Sequence, residues 1–325
     1  MYGVEGRLVG QMNIALFFWD RLPAPTYGGT QRMVLYLARG LAAAGHRVTL
    51  VAGEGSNVPE TTVVPVDLKT ARSPEFDIRP FLPKGLDILL SYAPLRIPPD
   101  LPWVRGLPGN WKAGTVGAPN TLYLSEDHAR RHGGTAFVYN GIDPADFHFR
   151  PAKDDYDLFL GRLHGIKGYR WAIEGAKRTR RRLLLAGGWR LSLSRYVRYV
   201  GSVGGEKKAA LLAGAGCLWM PALWDEPFGI TLIEAMVSGT PVLGTRRGSL
   251  PEIVSPAVGA LGDSVEELVA LRPGLAGIDP EACRARVDRY FTHHRMAEGY
   301  LRMFRHFLSH GVLPAGEGAG TGAAA

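Results

Sequence analysis

At 325 residues, 46% hydrophobic and 21% charged, the chain has the makeup of a globular protein long enough for two ordinary domains. Its two cysteines, Cys217 and Cys283, exclude a disulfide framework or a zinc cluster, and no run of about 18 apolar residues is present to span a membrane. The formal net charge of +8 favours an anionic partner without naming it, since nucleic acid, anionic lipid and nucleotide sugar all fit.

The opening MYGVEGRLVGQM lacks the long apolar core of a secretory signal, which predicts a cytoplasmic protein and leaves residues 1–11 as an extension outside the fold. Residues 13–19 form a continuous apolar run, as in a central parallel strand covered on both faces. A loop with Pro23, Pro25, Gly28 and Gly29 leads into a predicted helix at 30–44, with Met33, Val34, Leu37 and Leu41 on one face and Gly45 as its stop. A strand at 47–52 follows. This unit carries glycines at the phosphate position but is not GxGxxG, which counts against a nicotinamide enzyme. A plain tight turn is the other reading of Gly28 and Gly29. Short strands are expected at 63–66, 88–91, 103–104 and 121–124, and Ser125 caps a short helix. Asn140 and Gly141 form a turn, stiffened downstream by Pro144 and Pro151, that marks a domain junction near residue 148.

The second half opens with a strand at 156–160 followed by Gly161, Arg162, Leu163, His164, Gly165, Ile166, Lys167 and Gly168. Arg162 and Lys167 place two fixed positive charges at a strand end, suited to a diphosphate; surface charge is the plainer alternative. After a helix that includes 172–177, the basic run Lys177 to Arg182 reads either as a solvated helix end or as contact with an anionic membrane that carries a lipid-linked acceptor. A strand at 183–186 follows.

The most informative stretch is 221–253. A buried strand at 217–220 feeds the loop Trp224 to Gly229, then a helix at 230–238 stopped by Gly239, and the next strand at 241–244. In an open parallel sheet this loop faces a ligand crevice. Gly229 admits a ligand close to the backbone, and the free N–H groups of Phe228, Gly229, Ile230 and Thr231 form a positive helix terminus. Glu226 and Glu234 are expected to line one cavity, where carboxylates accept hydrogen bonds from vicinal diols. Diphosphate and diols together suggest a nucleotide sugar. The alternative is a loop carboxylate and a solvated helix residue. Helices are predicted at 280–290 and 294–308, and a disordered tail at 311–325.

The segments EPFG…EAM at 226–236, GR-x4-KG at 161–168, NGID at 140–143, YGG at 27–29 and AAAGHRVTLV at 42–51 together resemble the retaining glycosyltransferases of family 4. The resemblance implies an α/β GT-B fold of two Rossmann-like parallel-sheet domains facing across a cleft. Residues 12–147 would form the acceptor domain and 148–294 the donor domain, with a helix at 295–310 crossing back to the first. It implies that Glu226 holds hydroxyls of the donated sugar, Glu234 the ribose, and Arg162 and Lys167 the diphosphate. Gly28 and Gly29 would approach the donor phosphates or the acceptor, and Gly201, Ser202 and Val203 the nucleotide base. The implied reaction moves a sugar from a UDP- or GDP-linked donor to a saccharide or lipid-linked hydroxyl, with no cofactor and no metal, and with no enzyme nucleophile. Peripheral contact with an anionic membrane fits such an acceptor, and no stacking motif supports nucleic acid. One departure stands out: many relatives carry a histidine in the stretch matching 103–110, and this chain has none there, leaving Asn110 and Trp111 as candidates for the vacancy. A nucleotide-sugar binder of the same fold without transfer activity is the alternative function.

Overall fold

The computed structural model describes residues 10–24, 28–73, 75–94, 96–97, 100–112 and 114–319; Pro25, Tyr27 and the tail from 320 onward lie outside them. The chain divides into two units, one ending at Gly141 and rejoined by His293–Glu317, the other covering Ile142–Thr292.

The first unit is built on six parallel strands: β1 (Asn13–Phe18), β2 (Arg47–Gly53), β3 (Thr62–Val66), β4 (Ile88–Ser91), β5 (Trp103–Gly106) and β6 (Thr121–Leu122). They lie in the order β3-β2-β1-β4-β5-β6. β1 is buried along its whole length because β2 flanks it on one edge and β4 on the other, pairing Leu16 with Leu50 and Leu90. That central position explains the unbroken apolar run. Helix α1 (Gly29–Ala43) buries Met33, Val34, Leu37 and Leu41, the predicted face. The short helices α2 (Leu68–Ala71) and α3 (Glu126–Arg131) also belong to the unit, the latter capped by Ser125, whose hydroxyl accepts from the His128 N–H. Among the described residues no helix links β4 to β5 or β5 to β6.

The second unit repeats the plan with β7 (Asp157–Leu160), β8 (Leu183–Ala186), β9 (Val197–Gly201), β10 (Leu218–Met220), β11 (Val242–Gly244) and β12 (Gly259–Leu261) in the order β12-β11-β10-β7-β8-β9. Its helices are α4 (Tyr169–Thr179), α5 (Gly205–Gly214), α6 (Ile230–Val237), α7 (Leu250–Ile253), α8 (Val265–Leu271) and α9 (Pro280–Tyr290). Strand order reverses between β7 and β10, and in such sheets the crevice at the carboxyl ends of those two strands is where ligands bind. Behind the sheet, the fully buried Trp219 packs its ring where Gly175 has no side chain and donates Nε1 to Asp157 at 3.0 Å. Asp157 is also held by the Arg272 guanidinium at 2.8 and 2.5 Å. Burial opposes the charge on Arg272, but hydrogen bonding to Asp157 wins and its pKa stands above the ordinary value.

The last helix, α10 (His293–His310), belongs to the first unit. It lies against α1 at Gly40, where a Cβ would stand 2.4 Å from the His293 carbonyl oxygen, and Tyr300 shares a 2.8 Å hydroxyl bond with Tyr92.

Some expectations shift. The units divide at Gly141/Ile142 and Thr292/His293, where the sequence reading put 147/148 and 294/295. The expected disordered tail is laid down on the first unit as far as Glu317: the Gly316 N–H donates to the Thr135 carbonyl at 2.9 Å, and Glu317 pairs with Arg302. Small residues there fit closely against Phe137, a contact that composition does not reveal. Helices α5 and α8 and strand β12 were not anticipated, because their apolar positions are sparse or short. No helix among the described residues is long and apolar enough to cross a membrane.

Candidate functional site

Two loops at the carboxyl ends of β7 and β10 build the site in the second unit. After β7 the chain makes a single 3-10 turn over Gly165–Lys167, capped by His164, and reaches α4 through Gly168. Gly168 has φ of 71°, and a Cβ there would lie 1.6 Å from the Pro221 carbonyl oxygen. Only glycine meets both demands, the left-handed backbone and the close approach. The Leu223 N–H donates to the Ile166 carbonyl at 2.8 Å, tying the loop after β10 to the loop after β7.

That junction brings Lys167 to Glu226. The Lys167 ammonium stands 2.6 Å from Glu226 Oε2, which also accepts from Trp224 Nε1 at 2.8 Å. The ammonium lies 4.5 Å from the centre of the Trp224 ring, a cation–π distance. Both charged side chains are nearly buried, at 12% and 10% exposure, which strengthens their mutual attraction and makes each costly to leave alone. The loop's far side is pinned by Ser249: its N–H donates to the Glu226 carbonyl at 3.0 Å and its hydroxyl to the Phe228 carbonyl at 2.8 Å.

Glu226 is followed by Pro227, Phe228 and Gly229, the last in the left-handed region at φ of 81° as the residue before α6. No side chain caps this helix start. Every residue of α6 is buried, including Glu234, whose Oε1 accepts from Lys208 on α5 at 2.8 Å. The two glutamates therefore sit in separate ion pairs, one at the loop and one inside, where the sequence suggested a shared lining. Thr231 is buried with its hydroxyl against the Met220 sulfur.

Arg162 is exposed beside Gly161 and forms no ion pair among the described residues. Gly201 ends β9 at φ of 78° with open space where a Cβ would be, and its carbonyl accepts from the Gly187 N–H at 2.8 Å; Ser202 is exposed and Val203 buried. Gly28 and Gly29 belong to the first unit, at the start of α1, where the Gly28 carbonyl accepts from the Arg32 N–H at 3.1 Å. Gly28 has extended backbone and buries itself under the Gln31 side chain, so it serves the helix start rather than a left-handed turn. Asn110 and Trp111 line a cavity of about 290 Å³ in the first unit with Trp19, Tyr92 and Arg105. Asn110 Oδ1 accepts from Arg131 at 3.0 Å, and Arg105 lies 5.9 Å from the Trp111 ring.

With this geometry in hand, comparison with known proteins is decisive. The family described as Glycosyltransferase Family 4 matches residues 27–118, and that described as Glycosyl transferases group 1 matches 156–271. The first match takes in β2 to β5 of the first sheet and the second takes in all six strands of the second sheet. The chain belongs to glycosyltransferase family 4. It is 30% identical over 154 residues to an uncharacterized glycosyltransferase of Methanocaldococcus jannaschii, 38% of this chain and 39% of that one. It is 29% identical over 171 residues to the glycogen synthase of Mycobacterium tuberculosis, 46% of this chain and 41% of that one. Both alignments thus span less than half of the curated relatives. Among solved structures it is similar to AviGT4, a glycosyltransferase involved in avilamycin A biosynthesis, at 28% identity and a TM-score of 0.78, covering 94% of this chain and all of that one.

For this family 4 chain, sequence reasoning singled out Lys167 and Glu226 but not their direct contact, and it did not single out Trp224 or Lys208 as partners. Trp224 was within reach of the motif, two residues before Glu226. Lys208 was not, because it lies on a helix whose apolar face is too weak to be read.

Proposed function

We propose that the chain is a retaining glycosyltransferase that moves a sugar from a nucleoside diphosphate sugar, UDP- or GDP-linked, to a hydroxyl of a saccharide or lipid-linked acceptor. The observation that carries this reading is the 2.6 Å contact of Lys167 with Glu226 beside the uncapped start of α6. A cation, a carboxylate and the backbone N–H groups of a helix start at one strand-end junction fit the three parts of such a donor.

On this reading Arg162, Lys167 and the N–H groups from Phe228 to Thr231 take up the charge that grows on the diphosphate as the sugar bond breaks. Glu226 orients the sugar hydroxyls and offsets the positive charge developing on the ring. It already rests on two donors, Lys167 and Trp224, so its position is set before the donor arrives. Glu234 accepts from the ribose hydroxyls once Lys208 yields part of its hold, and Gly201, Ser202 and Val203 border the base. Gly28 and Gly29 serve the donor phosphates or the acceptor on the first unit. No resident cofactor or metal enters this scheme, and no enzyme nucleophile.

The test is a thermal-shift screen against UDP, GDP, ADP and their sugars, followed by donor hydrolysis and transfer to an acceptor panel. Stabilisation by one diphosphate, with turnover lost in Glu226→Ala, is expected. Binding with no turnover on any acceptor, and equal affinity in Glu226→Ala, would instead leave a binder without transfer activity.

A further inference from the structure

The chain's net positive charge is not spread over the fold. Residues 175–205 hold eight of the 38 lysines and arginines and none of the 30 acidic residues, so the rest of the chain is neutral and the whole net charge of +8 resides in this one segment. The segment runs from the end of α4 through β8 and β9, and β9 is the edge strand of its sheet. Arg178 and Arg181 are engaged by Glu174, Glu266, Asp155 and Asp157. Arg180, Arg182, Arg190, Arg195 and Arg198 have no ion pair among the described residues; Arg190 lies over the Tyr169 ring, and Arg195 lies over the Tyr196 ring and donates to its hydroxyl at 2.6 Å.

The same segment holds the most exposed large apolar side chains of the second unit. β8 and β9 are parallel, yet residues 187–196 connect them with no helix to cover the crossover. Within that connection Trp189 is 72% exposed, Leu191 78% and Leu193 96%, at alternate positions, with serines between and after the leucines. Beside it runs a groove of about 650 Å³ lined by Arg182, Arg198, Lys207 and Tyr199 under Trp189. Its one carboxylate, Asp154, is held by Arg150.

We propose that this face of the second unit docks onto an anionic lipid bilayer, with Trp189, Leu191 and Leu193 entering the interface and the arginines meeting lipid phosphates. Charge alone suits any polyanion. The leucines choose between them: the phosphate-lined outside of a nucleic acid offers little to exposed aliphatic side chains, whereas an acyl-chain boundary takes up both them and the indole. Charge at the rim with apolar tips between is the pattern of a surface that binds a membrane without crossing it. Docking of this kind invokes no step of the transfer reaction, although the groove also takes in Gly201, proposed above to border the nucleotide base, so vesicle binding is measured without donor.

The test is flotation of the full chain with vesicles of phosphatidylglycerol and phosphatidylcholine, with pure phosphatidylcholine vesicles and a single-stranded oligonucleotide as comparisons. Flotation with the anionic vesicles only, weakened by salt, is expected. Replacing Trp189, Leu191 and Leu193 together by serine should abolish it. Replacing Arg182, Arg195 and Arg198 together by serine should weaken it about a hundredfold, from the usual worth of a basic side chain near an anionic surface. Leu193→Asp, a change at the most exposed of the three, gives a second reading with little demand on folding, checked by an unchanged melting temperature. No flotation with anionic vesicles, or equal flotation of wild type and Leu193→Asp, overturns the proposal. Oligonucleotide binding that is lost in the arginine variant but kept in the leucine variants, with no vesicle binding, assigns the face to nucleic acid and overturns it equally.

Discussion

Replacing Glu226 by glutamine removes one negative charge while keeping the shape that Lys167 and Trp224 hold. The Lys167 ammonium has three protons and gives one to Glu226. A diphosphate oxygen taking another would sit about 4 to 5 Å from the carboxylate, given ordinary hydrogen-bond lengths and a tetrahedral angle. Two like charges at that separation repel by about 1 kcal/mol in water and up to about 4 kcal/mol at the effective dielectric of a protein surface. Glutamine relieves this repulsion and leaves Lys167 to the diphosphate. UDP or GDP, whichever is the cognate diphosphate, should therefore bind about tenfold tighter or more in Glu226→Gln than in wild type. Transfer should fall about 100- to 1000-fold, as for loss of one group aimed at transition-state charge. Isothermal titration with the diphosphate and steady-state kinetics with the full donor measure the two effects. A diphosphate affinity that falls in Glu226→Gln would refute the reasoning, because it would mean the carboxylate helps to hold phosphate rather than competing with it for Lys167.

Other outcomes follow from the same structure. Lys167→Met strands a nearly buried carboxylate and should cost about 3 kcal/mol, a fall of roughly 6–12 °C in Tm, while Lys167→Met with Glu226→Gln should recover much of that loss; additive effects in the cycle would rule out the pair as coupled. Asp157→Asn leaves Arg272, 5% exposed, without its bidentate partner and should destabilise the second unit by about 3–5 kcal/mol, read by denaturant unfolding. Gly168→Ala forces a Cβ against the Pro221 carbonyl and should cost both stability and diphosphate affinity, since it displaces the turn that carries Lys167; diphosphate affinity within twofold of wild type would break that link. His128 is buried and neutral, with a pKa lowered to about 3 chiefly by burial and then by His132 and Arg131. The unfolded chain binds this proton near pH 6.5 and the folded chain does not, so stability is full above that pH and falls toward pH 3 by about 1.4 kcal/mol per unit. Melting curves between pH 7.5 and 5 should show this slope, and His128→Gln should flatten it.

Much of the fold could be read along the chain because its central strands and helices are locally consistent. The apolar run at β1, the alternating face of α1 and the glycine stop after α6 each depend on neighbours within a few residues. The loops after β7 and β10 were legible for the same reason: GR-x4-KG and EPFG place charge and glycine at fixed offsets from a strand end. Helix α5 was not legible, since its face is only weakly apolar, and Lys208 stayed hidden with it. The tail at 311–319 has the composition of a loose end, yet Gly316 bonds to Thr135 because a small residue there fits against the Phe137 ring.

By itself, the sequence determined the two repeated strand–helix patterns, the family, and which residue types stand at each strand end, because these depend on periodicity and short spacings. Only the tertiary structure decided that Lys167 closes on Glu226 while Glu234 turns inward to Lys208, and that Trp189 lines one groove with Arg182 and Arg198. Those outcomes join residues 26 to 59 positions apart or depend on which side chains are left uncovered. Pairing of that kind is set by how the sheet brings strand ends together, and no local pattern records it.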